Sequence, residues 1–189
     1  MLYSELSQYT HKQLSQFTHA QLALMSHGGL IIDRTLADVG RWMELRDKGW
    51  ADMSESERQE WMGEIDVTPS AAKGMYTHVD LNRVEGAVES IVNRFKDAGY
   101  SVPEMTIVTD RTYKTKFRDT DAQRYFRNIS TVRGLVPVYH TTPRVPYIGE
   151  PFDHARANDI EKILVDVDEV FTKLTQSWQY AGDLFTGEV

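Results

Sequence analysis

The run Ile160-Glu-Lys-Ile163-Leu164-Val-Asp-Val167-Asp-Glu-Val170-Phe171-Thr-Lys-Leu174-Thr-Gln-Ser-Trp178 decides the fold class. Its apolar residues Ile160, Ile163, Leu164, Val167, Val170, Phe171, Leu174 and Trp178 recur at steps of three and four, the period of a helix face rather than of a strand. Asp153 stands where a cap belongs, so a helix is expected over roughly 155–181, ended by Gly182 and followed by a short tail. A stripe sustained over three heptads has the form of a bundle or coiled-coil seam. That seam is expected to join copies of the chain, with a trimer the favoured homo-oligomer. Asp166 and Glu169 then fall on the solvated face.

Moving toward the N-terminus, the pattern stays helical. Four of the six prolines, Pro137, Pro143, Pro146 and Pro151, crowd into 136–152, which reads as a stiff connector lying against a surface through Tyr139, Tyr147 and Phe152. Thr120 opens a helix with Tyr125, Phe126, Ile129 and Val132 inward and Gly134 after its end. Residues 102–117 lack helix signals, and Met105–Thr109 is either a short strand or an extended connector. A helix over 78–98 carries the stripe Leu81, Val84, Val88, Ile91, Val92 and Phe95, with Thr77 and Asp80 as its cap pair and Gly99 as its stop. Ser54 with Glu57, and Thr35 with Asp38, mark two earlier helix starts.

The first thirty-four residues repeat every eight. Leu6, Leu14, Leu22 and Leu30 share one phase, and Tyr9, Phe17 and Met25 another. Eight residues advance a helix by 2.2 turns, so one continuous helix would scatter the leucines around its surface. Thr10 with Gln13 and Thr18 with Gln21 match the capping box, and each cap is flanked by apolar residues at staple spacing. The octads are therefore expected to form short capped turns, unstable alone. They would make a docking arm whose partner-binding residues are Leu6, Tyr9, Leu14, Phe17, Leu22, Met25 and Leu30. The domain plan is an arm over 1–34, a helical domain over 35–135, the connector 136–152, and a C-terminal helix and tail over 153–189. The fold class is mainly α.

Composition narrows function. The 189 residues carry no cysteine, which excludes disulfides, thiol catalysis and Cys-ligated metals. A formal charge of −7 argues against a general nucleic-acid binder. No apolar run is long enough for a membrane span, and no signal peptide is expected. No phosphate loop, nucleophile elbow or zincin helix occurs, so no catalytic residue is assigned. His11, His19 and His27 would form imidazole rings in a three-fold oligomer, but at the starts of capped turns they read first as surface residues, so no metal or cofactor is expected. Arg124, Arg127, Arg133 and Arg144, interleaved with Tyr125, Phe126 and Tyr139, have the composition of a base-stacking face, although core periodicity accounts for Tyr125 and Phe126.

Three blocks carry a resemblance. Tyr76-Thr-His-Val-Asp80-Leu-Asn-Arg-Val-Glu85, then Thr120-Asp-Ala-Gln-Arg-Tyr-Phe-Arg-Asn-Ile129, then Ala157-Asn-Asp-Ile-Glu161 with Trp178-Gln-Tyr-Ala-Gly182, resemble in order the segments of tail-associated structural proteins of phages and prophages of Gram-positive bacteria. The middle block departs from the pattern, with Tyr113 or Phe117 where a Trp is typical. The resemblance implies a non-enzymatic baseplate or fibre-attachment subunit of a virion tail or phage-tail-like particle, made in the host cytoplasm, with other tail proteins as partners. A host-surface adhesin whose Trp and Tyr residues contact cell-wall sugars is the alternative, and a peptidoglycan-cleaving enzyme ranks third.

Overall fold

Helix starts are built largely as the capping residues dictate. In the computed structural model, which describes residues 29–62 and 70–186, the helices are α1 (Leu36–Lys48), α2 (Glu55–Met62), α3 (Ala71–Gly74), α4 (His78–Asp97), α5 (Asp119–Arg133) and α6 (His154–Thr186). Reciprocal capping boxes open α1 at Thr35/Asp38 and α4 at Thr77/Asp80. Ser54 and Glu57 exchange the same pair of bonds before α2. These bonds satisfy N–H groups that a helix start otherwise leaves unpaired. Gly49 and Gly99 follow α1 and α4 with φ of 78° and 85°, a region that costs other residues a Cβ clash. Gly182 does not end α6, which runs on to Thr186. No strand occurs among the described residues, so 102–117 is extended connector.

The main core lies between α4, α5 and α6. Phe95 stacks on Phe171 with ring centroids 3.9 Å apart, and Tyr76, just before α4, meets Phe152, just before α6, edge-on at 4.9 Å. Contacts at both the starts and the later turns mean that α4 and α6 run side by side in the same direction. The expected oligomer seam is spent here. Ile160, Ile163, Leu164, Val167 and Phe171 are buried in the chain's own core, with Val170 and Leu174 packed against it. Trp178 is the exception: it is exposed and stacks on Tyr100. Periodicity reports that a face is covered, not which molecule covers it, and here α4 and α5 do so.

The same core crosses the expected domain boundaries. Leu30, from the last octad, is only 1% exposed and packs with α4 and α6, so it is a core residue rather than a free partner contact. Leu6, Tyr9, Leu14, Phe17, Leu22 and Met25 lie outside the described residues. Residues 136–152 are more than a spacer: Val136 is buried in the core, Val138 and Val145 pack on it, and the Thr142 hydroxyl donates to Asp166 Oδ2 at 2.7 Å. Asp166 is accordingly buried and paired, not solvated. α1, α2 and α3 close a smaller cluster of Leu45, Met53 and Ala71 flanked by Trp42 and Trp61. No helix among the described residues is long and apolar enough to cross a membrane.

Candidate functional site

Two extended segments without a sheet partner must find hydrogen bonds elsewhere. Each is held by a helix carrying Asn and Glu three residues apart, which places both side chains on one face. On α4, Asn82 accepts from the Arg111 N–H at 3.0 Å and donates to its carbonyl at 2.8 Å. Glu85 accepts from the Val108 N–H at 2.7 Å and from the Arg111 guanidinium at 2.6 Å. On α6, Asn158 makes the same two bonds to Arg34, at 3.0 and 2.9 Å. Glu161 takes the Ile31 N–H at 2.5 Å and the Arg34 guanidinium at 2.7 Å. Each arginine also curls back onto the carbonyl three residues before it, Ile31 or Val108, at 2.7 Å.

These clasps expose a two-fold plan in the sequence. Ile31-Ile-Asp-Arg34 corresponds to Val108-Thr-Asp-Arg111, and Tyr76-Thr-His-Val-Asp-Leu-Asn82-Arg-Val-Glu85 to Phe152-Asp-His-Ala-Arg-Ala-Asn158-Asp-Ile-Glu161. Asp38-Val-Gly-Arg-Trp-Met43 corresponds to Asp121-Ala-Gln-Arg-Tyr-Phe126. The segments are exchanged: that of the first half is held by the helix of the second, and the reverse. Sequence reading missed this repeat, although the spacing Asn-x-x-Glu and the words Asp-Arg-Thr were there to find it.

The halves differ at one place. In the first, Arg34 leads straight into the cap of α1. In the second, residues 112–117 intervene between Arg111 and Arg118, the residue that precedes α5. Thr112 and Thr115 close this insertion into a turn, with the Thr115 N–H on the Thr112 carbonyl at 2.9 Å, and Tyr113 is left 79% exposed. A second turn, at 147–150, is closed by the Glu150 N–H on the Tyr147 carbonyl, with Gly149 at φ 92°. Glu150 ties that turn to Arg144 and to Arg156 of α6. Its carboxyl is held below the usual range by the Arg144 guanidinium, against its own desolvation, with the Tyr147 N–H assisting.

Between these turns and the starts of α4 and α5 lies an open cleft of about 580 Å³. Aromatic rings form its walls. Phe152 bridges Tyr76 and Phe126, and Phe117 meets Tyr125 edge-on at 6.2 Å. The hydroxyls of Tyr76 and Tyr125 share a hydrogen bond of 2.7 Å at the cleft's base, and burial pushes both phenols above their ordinary range. A second hollow of about 550 Å³ adjoins the first and shares Phe126, Tyr147 and Ile148 with it. Phe117, Tyr147, Ile148 and Phe152 are exposed, an apolar surface of the kind that marks a binding site.

The other candidate residues are placed as follows. Arg124 binds Glu85 and the Thr106 carbonyl, Arg133 the Pro143 carbonyl and Arg144 Glu150, so three of the four arginines of the expected basic face are engaged within the chain. Tyr125 is buried, as its periodicity required. His78 lines the cleft, whereas His11, His19 and His27 lie outside the described residues. Among the described residues no group of three or more His, Asp or Glu side chains is set to hold a metal. The three blocks that carry the family resemblance supply the clasps: Asn82 and Glu85, Arg124 and Asn128, Asn158 and Glu161. Compared with known proteins, the chain matches no family model, no curated protein and no solved structure.

Proposed function

We propose that this chain is a non-enzymatic structural subunit of a phage tail or phage-tail-like particle, linking neighbouring subunits through its N-terminal octad arm. The observation that carries this reading is the way the arm is rooted. Leu30 is sealed in the core, and within four residues of it the chain is pinned by two backbone bonds to Asn158, one to Glu161, and a buried guanidinium shared between Glu161 and Asp80. An apolar repeat joined so firmly to a helical body suits a tether under load. Removing residues 1–28 is expected to leave the circular dichroism and melting of the body unchanged while abolishing incorporation into particles. Normal incorporation of that truncation would remove the basis of the proposal.

A second reading, an adhesin of the tail tip, is favoured by the exposed rings of the cleft. An adhesin binds host cells as an isolated protein, whereas a linking subunit binds only its tail partners, and a cell-binding assay separates the two.

A further inference from the structure

We propose that the aromatic cleft is the socket for the octad arm of a second copy of this chain. The inference rests on reading the octads as a docking arm, and names the surface on which they dock.

The first half of the molecule supplies the precedent. There the place equivalent to the cleft is filled by peptide. The short turn α3, opened by Ser70, lies across the first turns of α1, and the Ser70 N–H donates to Asp38 Oδ1 at 2.7 Å. Ala71, its first residue, is fully buried, and Gly74 sits so close that a Cβ there would come within 2.2 Å of the Asp38 carbonyl oxygen. In the second half Glu150 stands at the position of Gly74, and the chain turns at 147–150 with Tyr147 and Ile148 left exposed. The insertion 112–117 forms the opposite wall. The fold thus lays a short turn on one helix start and leaves a lined vacancy at the other.

The octads match that vacancy in kind. Each is read as a turn begun by Thr or Ser, too short to persist without a surface, with Leu and an aromatic or Met as its apolar pair. Over residues 1–28 the arm is nearly uncharged, with Glu5 and Lys12 the only acidic and basic side chains apart from the histidines. The cleft is suited to such an occupant, because Arg111 and Glu150 are already neutralised by partners within the chain. Asp119 and His78 also line it, and among the described residues neither side chain has a hydrogen bond or ion pair. The two hollows that meet at Phe126 and Tyr147 provide room for successive anchors. A second copy is specified because an arm lodged in its own cleft links nothing. Arm-in-socket contact between copies is heterologous, so it closes a ring or continues as a chain.

The test uses the full chain with a benzophenone amino acid in place of Tyr147, which is 63% exposed. Isotopically heavy and light chains are mixed, irradiated and mapped by mass spectrometry. Heavy-to-light crosslinks from position 147 into residues 1–28 are expected. Their yield should fall at least five-fold when the probe sits at Met43, the counterpart of Phe126 in the closed half, or when Leu14 and Leu22 are changed to Ser. Crosslinks confined to single chains, crosslinks indifferent to the arm substitutions, or none at all would overturn the socket. So would protection of position 147 by a cell-wall polysaccharide that persists in the arm variant, which would make the cleft a sugar site. If the crosslinks are absent while the arm-deleted chain still fails to join particles, the assembly role stands and the socket alone is lost.

Discussion

The half of the chain from Leu30 to Phe95 and the half from Ile107 to Phe171 use the same parts to different ends. Both have a clasped extended segment, a helix beginning with an acid at its third position, and a longer helix whose Asn and Glu hold the other half's segment. In the first half Trp42 packs against the cluster that includes Ala71 of α3, and the indole N–H of Trp42 finds no hydrogen-bond partner among the described residues. In the second half the corresponding Tyr125 pairs its hydroxyl with Tyr76, and the surface above it stays open. The lesson is one of division of labour. A doubled plan needs its clasps twice for stability, but needs only one helix start covered, so the other is free to carry six extra residues and a binding surface.

The largest expected effect tests whether the two clasps are equivalent. Changing Glu161 or Glu85 to Ala strips a fully buried carboxylate from two arginines, a loss of about 3–5 kcal/mol, with Glu161 toward the lower end because Arg34 and Arg83 keep Asp80 as a second partner. Both variants should lose this in a single cooperative transition by chemical denaturation, because both clasps close on one core. A Glu85 variant that unfolds locally, with α6 still protected, would break the equivalence.

Leu45→Ala comes next. It empties the small cluster, at about 2–4 kcal/mol. The cost should appear in hydrogen exchange of α1 and α2 while α6 stays protected, since that cluster is separate from the main core. Gly74→Ala follows, at about 1–3 kcal/mol, because the new methyl meets the Asp38 backbone rather than a movable side chain. Its readout is again the stability of the first half.

Acid should act on both halves through particular carboxylates. For Asp38, burial alone would raise the pKa, but hydrogen bonds from the Thr35 hydroxyl and from the Ser70 and Thr35 N–H groups outweigh it, with the charge of Lys73 assisting. Glu57 is held down to about 2 by the Lys48 ammonium and the Ser54 N–H. Glu150 is lowered as well. All three bind protons less readily folded than unfolded, so their contribution is present above the ordinary carboxylate range of about 4 and is lost as pH falls toward 2. Exchange in α1 and in the turn at 147–150 should quicken between about pH 4 and 2, with α4 slower to respond. The smallest effect is Tyr147→Ala, within about 0.5 kcal/mol by denaturation, since the ring is exposed.

Particular residues show how much was legible beforehand. Thr35 with Asp38, Ser54 with Glu57 and Thr77 with Asp80 act within one turn of chain, so their bonds could be read from spacing alone. The α6 stripe was legible as a covered face but not as the chain's own core, because its cover arrives from α4 and α5. The cleft was not legible at all. Tyr113 and Phe117 lie in a stretch without periodicity, and Tyr147 and Phe152 sit among prolines that speak of stiffness rather than of position. Asp166 was misread for a related reason: helical period alone places it on the outer face, and only the strap through Thr142 covers it.

What the sequence determined by itself is the mainly helical class and most of the helix starts and stops. These depend on dihedral preferences, caps and periods that act over a few residues. Only the tertiary structure decided that Leu30 belongs to the core, that two Asn–Glu pairs clasp each other's halves, and that one helix start is covered while the other is left open. Those outcomes depend on contacts between residues 23 to 130 positions apart, as in Glu85 with Val108 and Glu161 with Ile31, where charge and hydrogen bonding are satisfied across the fold rather than along the chain.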